Sequence, residues 1–600
     1  MDKRSIFGFV VIGIILMAWL YFQSQNSKKD DLKKDQITKQ VQDSLSKLQT
    51  KDTTRKEILK DTTHTKAPVD SVKKVGLLFG AAQTGTPKNI IIETDKYIAE
   101  FSSKGGSLVK FEVKGFKTWD GFPVQLVYLD KGGELNLLFT SNEGNLIDTK
   151  DLYFNSTYQP WQNVYVKADD YKLVYELPVG DSSGAKIVKT FTFRNDSYMF
   201  DVDVEMVNSN KFLSNFEYQL AWESSLKLTE YRSDVEGNYA EAFSYSGGEL
   251  EIVDATKIGE PKKSDLNGNA DWVLSRIKYF CVGIVSKDPK ATGSYINGIR
   301  TALPDNGFEE NYSIALKNLV KNDKLEKQSY SIYLGPVDYE ILKSYNLNLE
   351  KTMRFSLDFI VRPIAQYAIL PFFLFLHKFI SNWGLVIIIF SIVMKFVLTP
   401  FTRYQMKSMR KMSELQPKMN ALKEKYKDEP KKQQEMLMKL YKEEKINPAG
   451  GCLPLILQLP ILYALFGVFS STIELRQANF IGWIKDLSIP DVVLQLPFKI
   501  PLFGIHEISG LAILMGTTMF IQQKMNVKDP SQKAMVYVMP VMLTLLFMTL
   551  PSGLNLYYFT FNLLSIIEQY FITKKKKTEV VEVVAEKPAQ RPQLRYKGKK

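Results

Sequence analysis

The 600 residues of this chain gather their apolar side chains at the extreme N-terminus and between 355 and 573, and leave a polar middle. That distribution constrains the fold more than any single motif does. A polar middle flanked by apolar ends is the pattern of a membrane protein carrying a large aqueous domain, and the length calls for several units. The mean hydropathy of −0.15 averages over this pattern and hides it.

Charge then assigns sides. The formal net charge is +13, and two stretches account for all of it. Residues 402–447 carry thirteen Lys/Arg against seven Asp/Glu, and the tail 574–600 carries ten against three. Lys and Arg near membrane spans are retained on the cytoplasmic side, so both stretches are placed there. The competing reading, nucleic-acid binding, is set aside as a primary role, with no DNA partner expected and ribosomal RNA kept as a secondary target. The two cysteines, Cys281 and Cys452, offer neither a disulfide framework nor a metal cluster. His64, His377 and His506 show no ligand spacing, so no metal and no cofactor is expected.

Residues 5–22 form one apolar helix behind Lys3 and Arg4. A cleaved signal peptide would need a small-x-small site, but Gln23-Ser24-Gln25-Asn26 follows, so 1–25 reads as a signal anchor with its N-terminus inside. Residues 26–84 form a polar linker that cannot bury a core, although its many lysines oppose the charge rule for an outside segment. Residues 85–345 read as all-β. Asn89–Thr94, Lys96–Phe101, Ser107–Val113, Lys189–Phe193 and Met199–Met206 are extended or alternate with period two, with turns such as Lys104-Gly105-Gly106 between them. Short strands with Gly, Asn and Asp turns suggest a sandwich. It holds no catalytic elbow and no phosphate loop.

Residues 354–380 are apolar but broken by Asp358, Arg362, Pro363, Pro371 and His377, which fits an amphipathic helix at the interface better than a span. Further spans follow at 381–401, 453–471, 507–522, 534–550 and 554–573, joined by an outside loop at 472–505 and a short inside loop at 523–533. The expected architecture is a polytopic α-helical membrane protein of six spans, with both termini cytoplasmic and a large all-β sandwich domain outside. Several spans are short. The sixteen residues 535–550 reach about 24 Å as a straight helix, against about 30 Å of hydrocarbon. A short span thins the bilayer and lowers the barrier to a polar segment.

Residues 402–447 read as a charged helical hairpin broken at Asp428-Glu429-Pro430. One arm carries Met406, Met409, Met412, Leu415, Met419 and Leu422 at spacings of three and four, and the other carries Met436, Leu437, Leu440 and Tyr441. Either the arms pack on each other as an antiparallel coiled coil, the preferred reading, or the methionines form an adaptable docking surface.

Lys395 stands inside the second span, about 9 Å from its cytoplasmic end at 1.5 Å per residue. A lysine there costs about 3 kcal/mol on insertion scales and faces a polar cavity in the usual case. Snorkelling of the long side chain to the headgroups is the alternative, and the residue alone leaves the two open. Ser391 lies one turn earlier on the same helix face. Gln458, Thr517, Thr518, Gln522, Asn555, Tyr557, Thr560 and Asn562 in other spans either glue helices together or line a hydrated groove. Glu568 is a candidate counter-ion, ranked below the cavity reading.

Asn382-Trp383-Gly384 before an isoleucine run and Pro400, Leu415-Gln416-Pro417-Lys418, Asn447-Pro448-Ala449-Gly450-Gly451-Cys452-Leu453-Pro454 and Gln458-Leu459-Pro460 together resemble the YidC family. So do Glu474-Leu475-Arg476-Gln477-Ala478, Trp483-Ile484-Lys485-Asp486-Leu487, Met515-Gly516, Pro551-Ser552-Gly553-Leu554 and Leu556-Tyr557-Tyr558. Gly335-Pro336 with Tyr339-Glu340 resembles the end of that family's periplasmic domain. The resemblance is close over 380–573 and loose over the β domain.

It implies a membrane protein insertase and chaperone of the bacterial inner membrane, with a five-helix insertase core and a groove in the inner leaflet. The implied partners are nascent integral membrane proteins, the Sec translocon, the ribosome through the basic tail and hairpin, and membrane lipids. The implied groove residues are Lys395, Ser391, Gln458, Thr518 and Tyr557. Many members carry arginine at the position of Lys395; lysine keeps the charge and loses the guanidinium fork. No catalytic residue is expected. A secondary transporter is disfavoured by the lack of an internal repeat and of paired intramembrane carboxylates. A membrane-anchored enzyme is disfavoured by the lack of a nucleophile–base or metal pattern in the β domain.

Overall fold

A computed structural model describes residues 69–180, 184–304, 307–321, 324–353, 358–444, 453–500, 504–526 and 533–585. The expected first span, most of the linker, His64, Cys452 and the last part of the basic tail lie outside the described residues, as do the side chains of Met406, Met409 and Met412. The chain divides into two compact units, one within 30–353 and the other within 354–600.

The first unit is built from strands, and the alternation that predicted them decides which side chains they bury. Tyr171–Pro178 turns Leu173, Tyr175 and Leu177 inward and leaves Lys172 and Val174 outward. A five-stranded sheet runs in the spatial order Pro123–Gln125, Ser107–Lys117, Tyr97–Ser102, Asn89–Glu93 and Gln162–Tyr165, antiparallel except for its last pair.

A thirteen-stranded sheet runs through Leu146–Asp148, Asn136–Ser141, Leu213–Trp222, Phe308–Leu319, Ala291–Ala302, Lys262–Arg276, Phe280–Ser286, Leu325–Pro336, Met199–Val207, Lys186–Phe193 and Tyr171–Pro178. Glu241–Ser246 and Glu249–Val253 form a hairpin off Lys262–Arg276. The sheets meet through rings: Phe101 lies 4.8 Å from Phe191 and 6.1 Å from Phe200. The turn at Lys104-Gly105-Gly106 takes φ of +79° and +52° at its glycines, a backbone that a β-carbon disfavours.

One expected boundary needs correction. The polar linker does not run unbroken to 84, because Val69–Gly80 is helical on either side of a kink at Gly76 and Phe79 is fully buried against Phe139 and Phe212 at 5.6 and 6.2 Å. A stretch ending Val75-Gly76-Leu77-Leu78-Phe79 has too few apolar residues to show a period. Its burial comes from the sheet it lands on.

The second unit is helical. Asn382 caps the helix Trp383–Lys425 by accepting from the Leu385 amide at 3.2 Å. This helix holds both the expected span at 381–401 and the first hairpin arm, and it continues through Pro400 and Pro417. The second arm, Pro430–Glu443, starts at the predicted break. The arms pack on each other: Leu415 and Met419 are buried, the Tyr441 hydroxyl donates to Met419 Sδ at 3.7 Å, and Lys418 pairs with Glu444 at 2.7 Å. Met436 is half-buried beside them.

Four more helices follow: Leu453–Ser471, Gly510–Asn526, Lys533–Phe547 and Ser552–Ala585. Residues 358–377 are helical with a π turn at Ala365–Ile369 just after Pro363, and bury Val361, Ala365, Ile369 and Phe373 against this bundle. Phe373 lies 4.9 Å from Phe390 and 5.7 Å from Phe469. At Gly516 any side chain would collide with Thr544, so glycine lets two helices touch. Among the described residues, Trp383–Arg403 is the one helix both long and apolar enough to cross a bilayer; 361–377, 458–471 and 536–547 are apolar but shorter.

Candidate functional site

The last helix is polar on its inner face. Asn555, Asn562, Ser565 and Gln569 are all buried, at spacings of seven, three and four, which stack them on one side of a helix. Leu563, Ile567, Tyr570 and Phe571 on other faces are exposed. Leu554, Leu556, Tyr557, Tyr558 and Phe561 are buried on the same helix, so the polar residues form a stripe within a largely apolar buried surface.

Lys395 reaches this stripe. Its Nζ donates to Ser565 Oγ at 2.7 Å and lies 3.0 Å from Glu568 Oε2, with the ring of Phe561 5.2 Å away. The other carboxylate oxygen of Glu568 lies 3.6 Å from Arg403 Nε. The Ser565 hydroxyl itself donates to the Phe561 carbonyl at 2.8 Å. The ammonium therefore points into the bundle, and the counter-ion that the sequence ranked low is in contact with it.

Ser391, one turn earlier, is fully buried and donates to the Ile387 carbonyl at 2.7 Å. Phe390 beside it lies 5.8 Å from the ring of Tyr557, which is fully buried. The Tyr557 hydroxyl and the Asn562 Nδ2 are buried without a protein partner, and buried polar atoms of this kind are usually satisfied by water.

Thr518 donates within its own helix, to Leu514 and Met515 carbonyls at 3.1 and 2.8 Å, and Gln458 is half-buried on Leu453–Ser471. Neither shares a hydrogen bond or ion pair with Lys395 among the described residues. Lys395 and Ser391 share one helix, whose Phe390 packs on Tyr557 of the last helix, and Gln458 and Thr518 lie on other helices. Ser565 and Gln569 were missed, although their spacing from Asn562 was the available signal.

A second polar cluster sits at the start of the last helix. Asp491 accepts from Trp483 Nε1 and from the Leu511 amide, each at 2.8 Å, and from the Ser509 hydroxyl. Ser509 in turn accepts from Asn555 at 3.4 Å and from the Ala512 amide at 3.1 Å. Ser552 donates to the Asp486 carbonyl at 2.7 Å. This ties the loop 472–505 to two helix starts.

The β unit also buries charge, and binds it internally. Lys189 donates to the carbonyls of Gly105, Gly106 and Leu135 at 2.9, 3.3 and 2.9 Å, and burial pulls its pKa down to about 7. Burial pushes Glu134 up to about 8 while it accepts from the amides of Glu223 and Ser224. Burial pushes the Cys281 thiol well above its ordinary value, which leaves it unreactive. Among the described residues no group of three or more His, Cys, Asp or Glu could hold a metal ion.

Two family models match the chain: the 60Kd inner membrane protein over residues 375–579 and the YidC periplasmic domain over 89–367. The chain is 39% identical over 581 residues to "Membrane protein insertase YidC" of Chlorobium phaeovibrioides, covering 95% of each. It is 37% identical over 602 residues to the protein of the same name from Chlorobium luteolum, covering all of both. The chain belongs to the YidC family.

A crystal structure titled as an active YidC insertase with its first transmembrane domain resolved matches at a TM-score of 0.34, with 20% identity over 83% of this chain and 96% of that one. At that score membership rests on the sequence relatives. A putative aldose 1-epimerase of Escherichia coli aligns with 42% of this chain at 9% identity and a TM-score of 0.26. YidC proteins are inner-membrane proteins with a β-rich periplasmic domain and are insertases, not enzymes, so the sequence reading named the right family and class.

Proposed function

We propose that this chain inserts integral membrane proteins into the inner membrane, and helps them fold and assemble, by drawing their polar tails into an inner-leaflet groove centred on Lys395. The observation that carries this is the buried ammonium held against a polar helix stripe inside an otherwise apolar bundle. A charge in such a place is expensive and marks function by default. Ser391 and Tyr557 line the same space, and the unpartnered Tyr557 hydroxyl and Asn562 amide favour a hydrated interior. Gln458 and Thr518 would complete the lining once a substrate parts the helices.

In this reading six spans cross the membrane, both termini and the Met-bearing hairpin are cytoplasmic, and the β unit is periplasmic. Helices such as Lys533–Phe547, about 22 Å at 1.5 Å per residue, thin the bilayer locally. The polar tail crosses this thinned layer, and the apolar segment leaves along the exposed helix faces into lipid. Nascent chains arrive from ribosomes held by the basic tail and hairpin, alone or beside the Sec translocon. Met406, Met409, Met412 and Met436 would meet them on the hairpin.

The test is Lys395→Ala in the reconstituted full chain. Insertion of a single-span substrate with an acidic translocated tail should fall about tenfold, the value of about 1.4 kcal/mol. Full insertion by a stably folded variant would refute the groove charge. Removing 574–600 should lower ribosome co-sedimentation; unchanged co-sedimentation would remove the tail from this scheme.

A further inference from the structure

We infer that Glu568 acts as an internal stand-in for the substrate, holding Lys395 while the groove is empty and passing to Arg403 when an acidic tail arrives. The inference rests on the groove reading above and adds to it a residue that sets when, and for which tails, the groove accepts charge.

One carboxylate is shared by two cations. Glu568 gives Oε2 to Lys395 Nζ at 3.0 Å and Oε1 to Arg403 Nε at 3.6 Å. The three side chains lie on a gradient of exposure: 11% for Lys395, 21% for Glu568 and 68% for Arg403. The pair on the inner side is the tighter and drier one; the pair on the outer side is longer and wetter. An ammonium left alone in the bundle would carry a large desolvation penalty, so the empty groove needs a counter-ion. Glu568 supplies it, with Ser565 Oγ at 2.7 Å as a second acceptor.

A tail carboxylate that reaches Lys395 must take the place of Glu568 Oε2. Glu568 then keeps a cation, because Arg403 already touches its other oxygen and stands where water can screen the change. One ion pair is exchanged for another, and no charge is stranded at any stage. Exchange of this kind gives recognition without tight capture, as an insertase that must release its guest requires. It also sets selectivity. An acidic tail exchanges with Glu568, a neutral tail has nothing to offer Lys395, and a basic tail meets Arg403 first.

The experiment reconstitutes the full chain in proteoliposomes. It uses a single-span substrate whose translocated tail carries two Asp, two Asn or two Lys. The readout is the ratio of acidic-tail to neutral-tail photocrosslinking at position 395's neighbour Ser391, taken within each variant so that differences in folded amount cancel. Glu568→Gln frees Lys395 of its competitor and should raise the ratio about fivefold, the lower range of coupling between two ligands that exclude each other. Arg403→Gln, at an exposed position that does not endanger folding, removes the receiving cation and should lower the ratio about threefold.

Exchanging the charges, Lys395→Glu with Glu568→Lys, keeps a pair in place and should turn the preference from Asp tails to Lys tails. A merely structural pair would not reverse it. An unchanged ratio in Glu568→Gln or in Arg403→Gln, or an Asp preference that survives the exchange, overturns the hand-over. If Lys395→Ala also leaves the ratio unchanged, the groove reading itself has failed; if Lys395→Ala lowers it while the Glu568 and Arg403 variants do nothing, only the hand-over has.

Discussion

Two carboxylates of the helical unit, the buried Asp491 and the partly buried Glu568, are held in opposite ways. Asp491 takes its hydrogen bonds from an indole, a backbone amide and a hydroxyl, all neutral groups fixed in the loop and at the start of Gly510–Asn526. Glu568 is held by two cations on one helix, at unequal distance and unequal exposure. Neutral donors with fixed backbones make a clasp that cannot change partner. Mobile side-chain cations make a pair that can. The two clusters meet the last helix at Asn555 and at Glu568, thirteen residues and so about 20 Å apart. One end of the bundle is thus locked by the same type of group that leaves the other end open to exchange.

The comparison is broken most severely by removing the clasp. Asp491→Ala takes the acceptor from the buried Leu511 amide and Ser509 hydroxyl, each worth about 1–3 kcal/mol, and from the half-exposed Trp483 indole. A loss of about 3 kcal/mol in total should appear as a clear drop in Tm in detergent and in folded yield, whatever substrate is used. If Asp491→Ala instead left stability intact and lowered only insertion of acidic tails, the division between clasp and exchange site would be wrong.

Ser565→Ala removes one acceptor from Lys395 and leaves Glu568 in place. About 1 kcal/mol is at stake, so acidic-tail insertion should change about fivefold or less while Tm hardly moves. Lys395→Arg should be the quietest. It keeps the charge and adds donors, and insertion of acidic tails should stay within about twofold. A large loss in Lys395→Arg would mean that ammonium shape, and not charge, is what the site reads.

Much of this was legible in the sequence, for physical reasons. Lys395 stands out because a charge in an apolar run has no neighbours to hide among. The strands at 89–93, 97–102 and 199–207 show because one face of each is buried and alternation follows. The break at Pro430 shows because proline opens a helix readily.

The rest depended on folding. Ser565 lies 170 residues from Lys395, and nothing in either segment announces the other. Asp491 and Ser509 look like ordinary loop residues until the loop closes over them. The union of the second span with the hairpin arm was hidden by the change from apolar to charged residues at 402; the helix runs through that change and through Pro400 and Pro417. Gln458 and Thr518 sit in the expected helices, but a sequence cannot say which helices adjoin.

That continuous helix has a mechanical consequence. Trp383–Lys425 spans 43 residues, a rod of about 64 Å at 1.5 Å per residue. Under the proposed function, a ribosome or nascent chain pushing on the hairpin would act on Lys395 with no intervening loop. Pro400 lies between Lys395 and Arg403, and a proline inside a helix is its natural bending point. Flexing the rod there would change the spacing of the two cations that share Glu568, so in the proposed scheme force on the hairpin would become a change of grip at Lys395.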